Sequence, residues 1–274
     1  MNRKRITWSI LIGILLFTFF LIRNQVRFLI LEEIPVHYSE VIYYKSIDET
    51  YFNLDFYACN RSFKNSWAQL YNLMFSDQIA VFQIPLNNYT FNNLVLKPVG
   101  SDEISAEANL YFNTMLFDSN YIATKGVIDD KHLVNNKKPH EERIGIDKKG
   151  HLTIFTRGNN SAYNDVLQAP ISLEIRHIGD TSMRILNYRQ FICIKDNKLL
   201  FITGFNNSLI SWIDVKALMP KLGLTSIIAL DGGASVEYEF EGKNNNYYFS
   251  SIPLRHVWFW MNSPYYMEGK HTGK

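Results

Sequence analysis

Ser226-Ile227-Ile228-Ala229-Leu230-Asp231-Gly232-Gly233-Ala234-Ser235-Val236-Glu237-Tyr238-Glu239-Phe240 is the stretch whose reading decides the fold. The run from Ser226 to Leu230 predicts a buried strand. Val236, Tyr238 and Phe240 then alternate with Glu237 and Glu239, the pattern of a half-buried strand. Between the two, Asp231-Gly232-Gly233 predicts a turn at the carboxyl end of the first strand. Its glycines permit positive φ, let a ligand approach the backbone closely and leave amides free to face an anion. Asp231 can serve there as acid, base or ligand anchor. On these residues alone, a plain hairpin connection is the commoner meaning of such a turn.

Upstream, Ser211 stands three residues before Asp214 in a capping-box-like start, and Trp212, Val215, Leu218, Met219 and Leu222 follow at helical spacing. Gly223 suits a left-handed C-terminal cap, while Pro220 shortens or distorts the last turn. Two hairpins of one design are predicted, over 144–154 with a turn at Asp147 to Gly150, and an equivalent unit over 191–202; together they suggest one meandering sheet. Further strands are expected at Val41 to Tyr44, Tyr51 to Tyr57, Ile79 to Ile84 and Leu94 to Leu96. Trp67, Leu70, Tyr71 and Met74 give Ser66 to Phe75 the spacing of a short amphipathic helix. The expected class is α+β, a mixed and largely antiparallel sheet with packed helices.

The 274 residues are 47% hydrophobic and 20% charged, which is globular composition, too apolar for disorder. The 28 basic residues are scattered among 26 acidic ones for a net charge of +2, so no nucleic acid is expected as a partner. Arg3, Lys4 and Arg5 precede an uncharged run from Ile6 to Ile22, followed by Arg23 and Arg27. As a helix that run spans about 26 Å against a hydrocarbon core of about 30 Å, the short end of what crosses a membrane. A cleaved signal peptide needs small residues at its end, whereas Phe19, Phe20, Leu21, Ile22 and Arg23 are bulky or charged, which favours an anchor. The expected organisation is a membrane anchor or signal segment over 1–30 and one domain over 36–265, held outside the cytoplasm at the periplasmic or cell-surface side. Cys59 and Cys193 either pair or stay buried as free thiols. The seven histidines show no zinc-ligand spacing, so no metal cofactor is expected; a divalent cation at Asp231, or near Asp118, Asp129 and Asp130, stays open.

The run from Leu222 to Ser235 resembles the phosphodiester glycosidase family, in which a helix, a glycine-containing turn and a strand lead to an Asn-Leu-Asp-Gly-Gly-Gly-Ser-like motif. Ala234 stands where that motif has its third glycine. Asn113-Thr114-Met115-Leu116-Phe117-Asp118 resembles the family's Asn-Ala-Gly-Met-Phe-Asp segment without the small central residues, and Gly126-Val127 resembles the strand that follows. Tyr188-Arg189-Gln190-Phe191-Ile192 occupies the place of an Arg-Thr-Ala-Val-Gly strand, and Leu254-Arg255-His256-Val257 that of an Arg-x-Val strand. The resemblance covers residues 100–262.

It implies a hydrolase that cleaves a sugar-1-phosphodiester or related glycosidic linkage on envelope or exported glycans. Asp231 would work at the sugar, as acid/base or hydroxyl anchor. Arg189 and the Gly232 and Gly233 amides would hold the phosphate, and Asn113 would orient the sugar. Ser235 and Arg255 would complete substrate binding. The departures around Asn113 and at Ala234 keep a second class open, a glycan-binding or envelope-assembly protein that retains the fold without turnover.

Overall fold

The computed structural model describes residues 34–74, 77–95, 106–114, 127–129, 132–133, 143–155, 163–168, 171–174, 181–206, 208–233, 236–250 and 265–273. In chain order the strands are β1 (Val36–Asp48), β2 (Asn53–Phe63), β3 (Asp77–Pro85), β4 (Tyr89–Val95), β5 (Leu110–Asn113), β6 (Val127–Asp129), β7 (His132–Leu133), β8 (Arg143–Asp147) and β9 (Leu152–Phe155). They continue as β10 (Tyr163–Gln168), β11 (Ile171–Glu174), β12 (Gln190–Lys195), β13 (Lys198–Gly204), β14 (Ser226–Ala229), β15 (Glu237–Glu241), β16 (Asn246–Ser250) and β17 (Tyr265–His271). Two α-helices accompany them, α1 (Ser66–Met74) and α2 (Trp212–Leu218).

Three sheets result: a first of order β1-β2-β3-β13-β12-β14-β11, a second of order β7-β6-β10-β8-β9 and a third of order β16-β15-β5-β17-β4. Every pairing among the described residues is antiparallel. The first sheet is apolar on both faces, which explains the unbroken runs Ile79 to Ile84 and Leu199 to Ile202. One face, with Phe82, Phe201 and Ile192, packs against Phe112, Tyr238 and Phe240 of the third sheet. There Phe82 stacks on Phe240 with centroids 4.2 Å apart. The other face, with Ile79, Phe191 and Ile202, is covered by Trp212, Val215 and Leu218 of α2.

Helix α2 starts as its sequence predicts. Ser211 and Asp214 form a reciprocal capping box, and Gly223 takes a φ of +63° beyond the helix end. The architecture departs from the expected class in its α-helices, which number only two among the described residues, with nine and seven residues; α1 leaves Trp67 77% and Leu70 51% exposed. The layers are therefore mostly sheet. The two look-alike hairpins fall in different sheets, β8–β9 in the second and β12–β13 in the first. Hairpin sequence fixes the local register; non-local strand edges decide the sheet. Cys59 and Cys193 are buried free thiols. No described helix is long and apolar enough to cross a membrane, and the run from Ile6 to Ile22 lies outside the described residues.

Candidate active site

The Asp231 turn is not a hairpin. β14 belongs to the first sheet and β15 to the third, so residues 230–236 carry the chain across the gap between sheets. Gly233 takes a φ of +71° in that crossing, the positive value its sequence allowed. Gly232 is fixed by space instead: a Cβ there would lie 3.0 Å from the Tyr188 carbonyl oxygen. The crossing is held by backbone bonds on both sides. Leu230 N–H donates to Gln190 O at 2.9 Å and Gly233 N–H to Tyr188 O at 2.8 Å, both toward β12; Asp231 N–H donates to Thr114 O at 3.0 Å, beyond β5.

Asp231 is thereby buried, 3% exposed, beside an Asn113 with no exposure at all. Asn113 Nδ2 lies 3.5 Å from Asp231 Oδ2, the long end of hydrogen-bonding range. The amide orientation of Asn113 follows from its neighbours. Glu237 N–H donates to Asn113 Oδ1 at 2.8 Å, which must therefore be an oxygen, and so the NH2 group faces the carboxylate. Gln190 Nε2 donates to the same Oδ1 and also, at 3.2 Å, to Asp231 O. Gln190 Oε1, fully buried, has no partner among the described residues.

Two residues that sequence reading passed over thus belong to the cluster. In the sequence Gln190 stands out only as the neighbour of Arg189. Glu237 was read as the solvent side of a half-buried strand, yet it is 5% exposed and accepts Tyr266 Oη at 2.7 Å and Tyr248 Oη at 3.3 Å. Cross-strand register explains it: Tyr238 pairs with Phe112, and Tyr266 with Asn113, so Glu237, Asn113 and Tyr266 share one row on the face of the third sheet turned away from the core. A polar residue opening the apolar strand Phe191 to Ile194 was the one local signal for Gln190. Nothing local marked Tyr266.

Arg189 is placed differently. Gln190 reaches toward Asn113, and the Arg189 side chain leaves on the opposite side, where its Nη2 donates to Ile185 O at 3.3 Å and Nε is buried without a partner. Burial lowers its pKa to about 10, against a smaller opposing pull from Asp214 of α2. The structure therefore brings Asn113 and Asp231 together but turns the Arg189 guanidinium toward α2. The glycine amides also differ from expectation. Gly233 N–H is taken by Tyr188 O and Gly232 N–H by Asp231 Oδ1 at 2.9 Å, because the turn closes on its own carboxylate, so neither faces an anion. Ser235 and Arg255 lie outside the described residues, as do Ala234, Asp118 and Asp130. Among the described residues no group of three His, Cys, Asp or Glu side chains is gathered to hold a metal ion.

A mostly antiparallel β architecture with a buried Asn–Asp–Gln cluster at the crossing between two sheets is the class this fold and site define. The phosphodiester glycosidase family model matches residues 106–258, more than half of the chain and the part that contains the whole cluster except Tyr266. The chain belongs to the phosphodiester glycosidase family. Among solved structures it is similar to the zebrafish N-acetylglucosamine-1-phosphodiester alpha-N-acetylglucosaminidase catalytic domain auto-inhibited by its pro-peptide, with 14% identity, a TM-score of 0.49 and coverage of 72% of this chain and 78% of that one. It is similar also to a hypothetical protein from Synechocystis, with 10% identity, a TM-score of 0.49 and coverage of 79% of this chain and 62% of that one. No curated protein matches the sequence.

Proposed function

We propose that the protein is a membrane-anchored hydrolase of sugar-1-phosphodiesters, or of related glycosidic linkages, on envelope or exported glycans, with its body outside the cytoplasm. Family membership supports glycosidase-like chemistry, and the observation that carries the proposal is the buried Asp231 carboxylate faced by the Asn113 NH2 group. Cleavage at a sugar anomeric carbon builds positive charge on the sugar and negative charge on the leaving phosphate. Asp231 serves the first need, as acid/base or hydroxyl anchor. Asn113 orients the sugar and holds the carboxylate, while the unpartnered Gln190 Oε1 supplies an acceptor for a sugar hydroxyl or acylamino N–H. Arg189, whose buried guanidinium points to the α2 face, carries its charge at neutral pH behind the strand and takes no direct part in holding the phosphate. Ser235 and Arg255 complete the substrate contacts.

The test is incubation of the detergent-solubilised full chain with a panel of sugar-1-phosphodiesters, N-acetylglucosamine-1-phosphodiesters among them, with assay of released sugar. Release that depends on Asp231 supports the proposal. One specific observation favours the second reading, a glycan-binding protein without turnover: the glycine amides are engaged inside the turn and do not face a phosphate. Saturable binding of the same compounds with no release from any of them gives the site to that reading.

A further inference from the structure

Two apolar residues of α1 are turned away from the protein: Trp67 is 77% and Leu70 51% exposed, and three residues apart they share one face of the helix, while Ala68 is buried. The helix is firmly set nonetheless. Asn65 Oδ1 accepts Trp67 N–H at 2.9 Å and Ala68 N–H at 3.2 Å, and Gln69 Oε1 accepts Phe63 N–H at 2.9 Å. A large aromatic and a leucine are thus presented to the outside by a capped, fixed helix.

The position of α1 identifies what covers it. Phe63, at the end of β2, pairs with Val36, the first residue of β1, so α1 begins where the chain emerges from residues 1–33. A cavity of about 630 Å³ at this end is lined by Ile34, Pro35, His37, Lys64, Asn65 and Arg184. Arg184 fastens this entry point by donating to His37 O at 3.0 Å. Tyr38, 59% exposed, is two residues further along the edge strand, followed by Glu40. Eleven residues separate Ile22 from Ile34, so even a fully extended link keeps this end within about 40 Å of where the apolar run stops. Trp, Leu and Tyr beside Lys and Arg are the side chains that settle at the boundary between headgroups and acyl chains.

We infer that this end of the body rests on the lipid surface of its own membrane, with Trp67 and Leu70 inserted at the headgroup–acyl boundary and Lys64 and Arg184 at headgroup level. The inference rests on the anchor reading of Ile6 to Ile22. It fixes the body against the bilayer, because the short link holds α1 close to the surface and makes its binding intramolecular.

The experiment uses the full chain reconstituted in phosphatidylcholine vesicles containing a fraction of phosphatidylglycerol. Cys59 and Cys193 are buried, and burial pushes the Cys59 thiol well above its usual range, so neither competes for a thiol label. A fluorophore goes on Leu70→Cys and, as control, on Lys243→Cys. Lys243 N–H donates to Glu49, just past the opposite end of β1, so the control reports the far side of the sheet. A lipid-borne nitroxide near the headgroup should cut emission at position 70 by about twofold or more, since interfacial helices sit roughly 5–10 Å into the boundary. Aqueous iodide should quench only position 243. If a floated chain shows position 70 open to iodide and untouched by the nitroxide, the docking is overturned while the anchor stands. A chain that does not float with the vesicles overturns both. Shielding of position 70 that disappears on dilution to one chain per vesicle, without nitroxide quenching, assigns the face to a second copy and also overturns the proposal. None of these outcomes depends on turnover, so the catalytic reading is tested separately.

Discussion

Two buried polar clusters lie on opposite faces of the first sheet, and they are built to different degrees of completion. On the α2 face, Arg61 is fully buried and matched on every side: Nε donates to Asp214 at 2.8 Å, Nη1 to Asp77 and Nη2 to Leu209 O at 2.7 Å. Asp214 in turn accepts from Ser39 Oγ at 2.5 Å and from Ser211 N–H at 2.6 Å. Although burial acts against its charge, the fields of Asp214 and Asp77 hold the Arg61 pKa above its usual value. On the face toward the third sheet, Asn113, Gln190, Asp231 and Glu237 are bound into a network that leaves Gln190 Oε1 without a donor. A closed cluster fastens β1, β2 and β3 to α2. An open one keeps a vacancy in its hydrogen bonding, which is the condition a ligand can satisfy.

Mutations break or sharpen this contrast in order of size. Arg61→Leu strands two buried carboxylates and should cost about 3–5 kcal/mol in urea unfolding. Asp231→Asn should lower kcat about 10²-fold on any phosphodiester the wild type cleaves, with a much smaller change in stability than Arg61→Leu. Equal losses of stability in the two variants would erase the distinction between the clusters. Gln190→Leu removes the unpartnered acceptor together with the donor to Asn113, so kcat/KM should fall about tenfold while stability moves by no more than about 1 kcal/mol. Smallest is Arg189→Lys, which keeps the charge on the α2 face, away from Asp231; kcat and KM should both stay within about twofold of the wild type.

Sequence patterns were most readable where one residue's chemistry fixed its neighbours' backbone. Ser211 and Asp214 announced the start of α2, and Gly223 its end. The β12–β13 hairpin appeared around Asp196 and Asn197, both with positive φ. The same reasoning failed for Glu237 and α1. Alternation put Glu237 in solvent, but the hydroxyls of Tyr266, from the chain end, and of Tyr248 close over it and donate to its carboxylate. In α1 the apolar spacing suggested a core-facing stripe, yet Trp67 and Leu70 are exposed and Ala68, between them in sequence, is buried against the body.

By itself the sequence determined the β8–β9 and β12–β13 hairpins, the strands on either side of Asp231, the capped helix before the site and the Asp231-Gly232-Gly233 turn, because each depends on residues a few positions apart. The tertiary structure alone decided that the look-alike hairpins enter different sheets and that Asp231 sits between two layers. It also decided that Gln190 and Glu237 close around Asn113 while the Arg189 guanidinium turns toward α2. These outcomes depend on which strand edges meet between distant parts of the chain, as when Tyr89 pairs with His271, and pairing at that range is set by the packing of whole faces rather than by any local pattern.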